Sequence, residues 1–320
     1  MAQAASQLSL TAPPRFDLSK AVCGYGFFLL APTHWDNTTH TLRVPLRGED
    51  DRIIHAAVTH PTTRRILRIR CDRKVNRPEA QRLRAAIRRM LRLEEDFTRW
   101  FKLHPCARRE GYGRLFRSPT FFEDVVKTMT TCNIAWPNTV RMNALLCEEI
   151  GGGAFPTPAQ LSRRKPATLK LRCRVGYRAE WIVRFARQID SGALEPAWFE
   201  NPSRSTEELY SALRGIQGLG EYAAHNVLQL LGRYDRLPID SETVRHFRQV
   251  HGVELPENTR LRREILHQHY KPFSPFQFLA YWYELKNGYE AKAGPAERWN
   301  EADMRVFSAN LNTPPPRRAK

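Results

Sequence analysis

The chain has 320 residues with 51 Lys and Arg against 33 Asp and Glu, a formal net charge of +18. That length can bury a large core without help from metals or disulfides, and such a charge leads to self-repulsion unless a polyanion is the usual partner. Nucleic acid is the first candidate, with a compositional or solubility bias as the plain alternative. Six cysteines, at 23, 71, 106, 132, 147 and 173, include no Cys-x-x-Cys pair. None follows Cys173, which argues against zinc or a four-cysteine cluster in the C-terminal half and for free thiols in a reducing compartment. No basic-then-apolar leader opens the chain and no apolar run reaches bilayer length, so a soluble intracellular protein with no membrane partner is expected.

In chain order, residues 1–15 are polar and have little to bury, so they are expected to be mobile. Residues 16–78 alternate over short apolar runs such as "TLRVPLR" and "RRILRIR", broken by Pro, Asn, Thr and Gly, which predicts a small antiparallel sheet. The period then changes. In "EAQRLRAAIRRMLRLEEDFTRWF", Leu83, Ile87, Met90, Leu91 and Phe97 recur at helical spacing, and helical patterns continue to about residue 300. The proline-rich tail 301–320 is expected to be mobile. No internal repeat of fixed period is present. The expected fold class is α+β, predominantly α, with a β-rich N-terminal subdomain (16–78) followed by a helical body (79–300).

Within that body, "ELYSALRGIQGLGEYAAHNVLQLL" predicts helix, tight turn and helix over 206–232. Gly218 and Gly220 flank Leu219, permit positive φ, and leave the first amides of the second helix open to an anion. This is the sequence form of a hairpin that holds a DNA backbone, although a plain αα-turn with a glycine cap has the same pattern. The following loop breaks at Pro238 and restarts at Asp240. Asp240 suits the N-cap of "SETVRHF", and capping leaves the second carboxylate oxygen available for chemistry.

Hairpin, apolar helix and Pro-x-Asp together resemble the helix-hairpin-helix (HhH-GPD) superfamily of DNA glycosylases, with Asp240 on the position of its invariant aspartate. From about residue 16 to 290 the chain is most similar to the 8-oxoguanine DNA glycosylase family. The resemblance implies a role for each matching residue. Asn133, at the end of "TMTTCNIAW", fills the gap left by the extruded base. In "VGYRAEW", Tyr177 is the stacking wedge and Arg178 the reader of the orphan base. In "SPFQFLAYWYEL", Gln277 contacts the base edge and Tyr281 stacks on the base, while Gly24 of "AVCGYGFF" lines the pocket with its carbonyl. The bifunctional members carry a catalytic lysine where this chain has Tyr222, and no lysine occurs between Lys170 and Lys271. Schiff-base chemistry from the hairpin is therefore unavailable. Monofunctional 3-methyladenine glycosylases also lack that lysine, carry an aromatic residue there and use water.

The implied activity is that of a monofunctional glycosylase of base-excision repair. It would flip an oxidised or alkylated purine from double-stranded DNA and hydrolyse the N-glycosidic bond with Asp240, leaving an abasic site. It would act as a monomer without a cofactor. Tyr222 is placed to line the pocket or stack on the flipped base, whereas Glu242 and His225 are expected at the surface. The His-Gln-His at 267–269 has no further ligands nearby in sequence and is not counted as a metal site. Arginines in "TTRRILRIRCDRK" and "QRLRAAIRRMLR" form a candidate diffuse footprint on phosphates. The alternative of another class is a non-catalytic hairpin protein that binds damaged or distorted DNA. A nuclease is a third reading, and no clustered carboxylates support it.

Overall fold

The computed structural model describes residues 5–61 and 65–300; the tail 301–320 lies outside the described residues. Strand β1 (Gln7–Thr11) is followed by the short helix α1 (Leu18–Val22) and by β2 (His34–Asp36), β3 (Thr41–Arg47), β4 (Ile53–Thr59) and β5 (Ile66–Cys71). They form one antiparallel sheet in the order β1-β5-β4-β3-β2. Register puts Leu42 opposite Val58, Val44 opposite Ala56 and Leu10 opposite Leu67, so the alternating apolar residues share one buried face. The expectation of mobility over 1–15 is corrected for Gln7–Thr11, where alternation in "QLSLT" is enough to add an edge strand to β5; residues 1–4 lie outside the described residues.

Helix α2 (Arg77–Met90) starts at a reciprocal cap between Asn76 and Glu79 and presents Leu83, Ile87 and Met90 to the sheet. Short helices α3 (Thr98–Leu103) and α4 (Pro105–Glu110) complete this layer. The chain then builds a second layer from α5 (Phe121–Thr131), α6 (Trp136–Glu149), α7 (Pro158–Ser162), α8 (Pro166–Arg172), α9 (Arg178–Asp190), α10 (Pro196–Phe199), α11 (Thr206–Arg214) and α12 (Glu221–Leu230). It returns to the first through α13 (Ser241–His246), α14 (Thr259–Tyr270) and α15 (Gln277–Ala293). None of these helices is long and apolar enough to cross a membrane among the described residues.

Two apolar cores result, and their division differs from the boundary expected at residue 78. One core joins the sheet to α2–α4 and to residues from Leu230 onward, while the other is confined to 121–228. The apolar face of the sheet is covered by α2, and the C-terminal helices join the same core. Where the chain crosses back, buried arginines hold the seam. Arg92 is 1% exposed and donates to the carbonyls of Gln229 and Leu230, and Arg117 donates to Leu230 as well. Arg89 pairs with Asp124 at 2.8 Å. Of the candidate phosphate footprint, Arg89 and Arg92 are therefore interior braces: Arg89 lies in the last turn of α2, and Arg92, at φ +50° just past the helix end, is turned inward by the chain reversal there. Asp240 follows directly on this crossing, between the two cores.

Candidate active site and DNA-facing groove

Helix α11 begins at a reciprocal cap, with Ser205 Oγ accepting from Glu208 N and Glu208 Oε2 accepting from Ser205 N. After Gly215 the turn is set by Gly218 at φ +96°, where an added Cβ would stand 2.7 Å from the Trp181 ring. Only glycine satisfies both conditions. Arg214 Nη1 donates to Leu219 O at 2.8 Å and ties the turn to its own first helix, while the Leu219 side chain is buried. Gly220 caps α12 without a side-chain bond, so no side chain occupies the first-turn amides. Glu221 adds negative charge to that turn, and Arg263 pairs with it at 3.0 Å.

Asp240 caps α13. Its Oδ1 accepts from Thr243 N at 2.9 Å and from Thr243 Oγ1 at 3.1 Å, so the cap engages one of the two carboxylate oxygens. Thr243 Oγ1 lies 3.0 Å from the Tyr281 hydroxyl, which extends the brace to α15. Burial raises the Asp240 carboxyl above the usual carboxylate range, and the bonds from Thr243 and the Tyr222 hydroxyl only partly offset it. Desolvation thus opposes the ionisation that a helix N-terminus favours.

Two spaces meet at Asp240. A 390 Å³ cavity runs inward between Tyr25, Trp136, Tyr222, Phe278, Tyr281 and Trp282. An 860 Å³ groove runs outward past Asn133, Tyr177 and the hairpin residues Gly218, Leu219 and Gly220. Tyr222 and Asp240 line both. Two further hollows lie away from Asp240, one of 720 Å³ between α2 and the segments 117–123 and 154–158, and one of 1290 Å³ over the sheet. Arginines lining the first of them, Arg89 and Arg92, are already paired with Asp124 and Glu95. On the groove, Asn133 is exposed at φ +50° in the loop after α5. Tyr177 is 47% exposed at the start of α9, with its ring 4.9 Å from Trp181.

No family model matches the sequence, and no curated protein does. Solved structures do. The chain is similar to one described as MBOgg1 in complex with a low-affinity DNA ligand, at a TM-score of 0.65 and 18% identity, over 88% of this chain and 96% of that one. It is similar to the 3-methyladenine DNA-glycosylase of Archaeoglobus fulgidus at a TM-score of 0.65 and 17% identity, covering 87% and 98%. The fold is that of the DNA glycosylases. A further similar structure is the 8-oxoguanine glycosylase/lyase of Clostridium acetobutylicum with double-stranded DNA containing cytosine opposite 8-oxoG, at a TM-score of 0.56, 15% identity, and 83% and 93% coverage.

Within this glycosylase fold three expected residues do not face the cavity or the groove. Arg178 is 3% exposed, and it donates through Nε to Met129 O at 3.1 Å and through Nη2 to Cys132 O. Its guanidinium holds the loop that carries Asn133 and is not free to read an orphan base. Gly24 lies outside the cavity. Its carbonyl accepts from Trp282 Nε1 at 2.9 Å, and its lack of a side chain is required by the carbonyls of Arg114 and Lys20, 2.6 and 2.9 Å from a would-be Cβ. Gln277, the first residue of α15, is buried but does not line the cavity. The lining face of α15 is the stripe Phe278, Tyr281, Trp282, Leu285 and Tyr289, whose i, i+3, i+4, i+7 spacing was readable as a face.

Two residues expected at the surface are also relocated in the glycosylase fold. His225 is buried, and its Nδ1 lies 2.9 Å from Leu237 O, which anchors the loop leading to Asp240. Glu242 lines the cavity, accepts from the Tyr289 hydroxyl at 2.7 Å and pairs with Arg245. Unforeseen in the sequence are Tyr25, Trp136 and Asn226. Tyr25 donates to Asn226 Oδ1 at 3.1 Å, and Asn226 Nδ2 donates to the main-chain carbonyl of Tyr222 at 3.0 Å, which links the Tyr25 side of the cavity to the first turn of α12.

Proposed function

We propose that the protein is a monofunctional DNA glycosylase that extrudes an alkylated purine from duplex DNA and hydrolyses its N-glycosidic bond. The observation that carries this reading is a buried carboxyl, Asp240, at the mouth of a base-sized aromatic cavity beside the hairpin groove. Cleavage of the bond develops positive charge on the deoxyribose, which a nearby carboxylate stabilises more in the transition state than in the ground state. The same group, lifted toward neutrality by burial, takes a proton from the water that adds to C1′. The base departs with the bonding pair, and an abasic site remains.

No lysine lines the cavity or the groove among the described residues, which supports hydrolysis without strand scission. Asn133 and Tyr177 are the proposed filler and wedge on the DNA side, with the hairpin amides on the phosphates. The lesion class rests on the wall. The two features that the resemblance attaches to oxidised guanine, the Gly24 carbonyl and Gln277, do not face the cavity, while Tyr25, Trp136, Tyr222 and Trp282 do. Such rings favour a flat, electron-poor base, and a cationic alkylated purine leaves as a neutral one. The enzyme acts as a monomer on this reading and requires no cofactor.

The test is base release from end-labelled duplexes carrying one lesion each (methylated adenine or guanine, ethenoadenine, hypoxanthine, 8-oxoguanine, uracil), with Asp240→Asn beside wild type. Breaks that appear only after hot alkali, on the alkylated duplexes and at least about a hundredfold slower with the variant, are expected. Scission without alkali would overturn hydrolysis. Tight binding with no release from any lesion would leave the non-catalytic reading.

A further inference from the structure

One layer behind Tyr281, a group of side chains outside the cavity has the make-up of a cation site. Helix α13 does not end at His246 but widens into one π turn, Phe247–His251, which stops at Gly252 with φ +65°. In an α-helix, residues five apart point to different faces; the i→i+5 pattern brings His246 and His251 onto the same one. Both Nε2 atoms converge on a single oxygen of α15, Glu284 Oε2, at 3.3 and 3.1 Å. The three ligand atoms all lie within 4.8 Å of one another.

Tetrahedral zinc with bonds of about 2.0–2.1 Å separates neighbouring ligand atoms by about 3.3–3.4 Å. The observed 3.1 and 3.3 Å are close to that edge. His246 is buried and His251 and Glu284 are partly exposed, so an ion can enter from one side and keep an outward position for water. The His269 ring packs edge-on against that of His251, at 4.3 Å between centroids, and lies outside the three-residue cluster. Tyr270 donates to the same Glu284 oxygen at 2.7 Å, the kind of outer hydrogen bond that orients a ligating carboxylate.

We propose that His246, His251 and Glu284 bind one borderline divalent cation, Zn²⁺ by ligand class, which fastens α13 to α15. The ion sits at the far end of the helix that Asp240 caps, and its role is to hold that helix in place. His-Gln-His at 267–269, the obvious sequence candidate, is not part of the cluster. The fold assembles the three ligands from two helices.

The test uses tag-free full-length protein stripped with a chelator and titrated with Co²⁺, then Zn²⁺. One equivalent of cobalt giving tetrahedral d–d bands, displaced by one equivalent of zinc and accompanied by a raised Tm, is expected. Glu284→Gln and His251→Asn should weaken binding at least tenfold, and His267→Ala should not. Wild-type protein that develops no such bands would overturn the proposal even if both variants fail to fold. Equal binding by Glu284→Gln, or binding lost in His267→Ala, would do so too. Base release is not the readout, so the result stands apart from the glycosylase reading.

Discussion

Gly218→Ala probes the hairpin with two separable costs. The residue sits at φ +96°, and a Cβ there would meet Cδ2 and Cε3 of Trp181 at 2.7 Å. A left-handed backbone costs an L-residue about 1–2 kcal/mol, and forcing a methyl into a filled contact costs about 1–3 kcal/mol. The substitution should therefore destabilise the protein by about 2–5 kcal/mol, summing these two ranges. In a Trp181→Ala background the contact is gone and only the backbone term of about 1–2 kcal/mol should remain. Urea denaturation of the four proteins measures both values. Fluorescence anisotropy with a duplex containing an abasic analogue reads the consequence, an affinity at least tenfold lower for Gly218→Ala because the amides after the turn are displaced. Equal costs in the two backgrounds, or a cost under about 0.5 kcal/mol in the wild-type background, would refute the assignment of this turn to glycine geometry.

Burial holds the Asp240 proton more tightly in the folded protein than in the unfolded chain, so its stabilising contribution is complete below the unfolded pKa and is lost as pH rises through the folded one. Asp240→Asn keeps a capping side chain and should raise Tm at neutral pH, with the gain fading in acid, while wild-type base release should fall as pH drops through the same raised pKa. Thr243→Val removes a buried hydroxyl that touches both Asp240 and Tyr281. It should cost about 1–3 kcal/mol in denaturant and lower kcat more than it changes KM. Arg178→Met should destabilise by about 1.5–3 kcal/mol yet leave the ratio of rates against the four opposite bases unchanged, since the guanidinium faces backbone carbonyls. Tyr177→Ala, at an exposed wedge position, should change stability by less than about 0.5 kcal/mol and weaken duplex binding by about 1–3 kcal/mol in anisotropy titrations.

Much of the architecture was readable along the chain because its causes are local. Alternation marks the strands, the i, i+3, i+4 period marks α2, and glycine spacing marks a turn that only glycine can make. Asp240 at a helix start is of this kind too, since a cap is satisfied within three residues. The edge strand at Gln7–Thr11 was overlooked because its partner lies about 60 residues away and its own five residues carry little apolar signal.

The character of the site depends on pairs far apart in sequence, which no local pattern contains. Gly24 is removed from the cavity by an indole 258 residues away. Arg178 is turned inward by carbonyls of α5 and the loop after it, and a matching residue type at a matching position does not say which partner that side chain reaches. The pKa of Asp240 likewise follows from burial among several elements, although its capping role is set by its neighbours. His246 and His251 become neighbours through a π turn, and Glu284 reaches them from another helix. Short-range sterics and periodicity thus specify the elements and their order. The protonation, the pocket wall and the ligand set are settled by burial and long-range packing, because those free energies exist only once distant segments exclude water together.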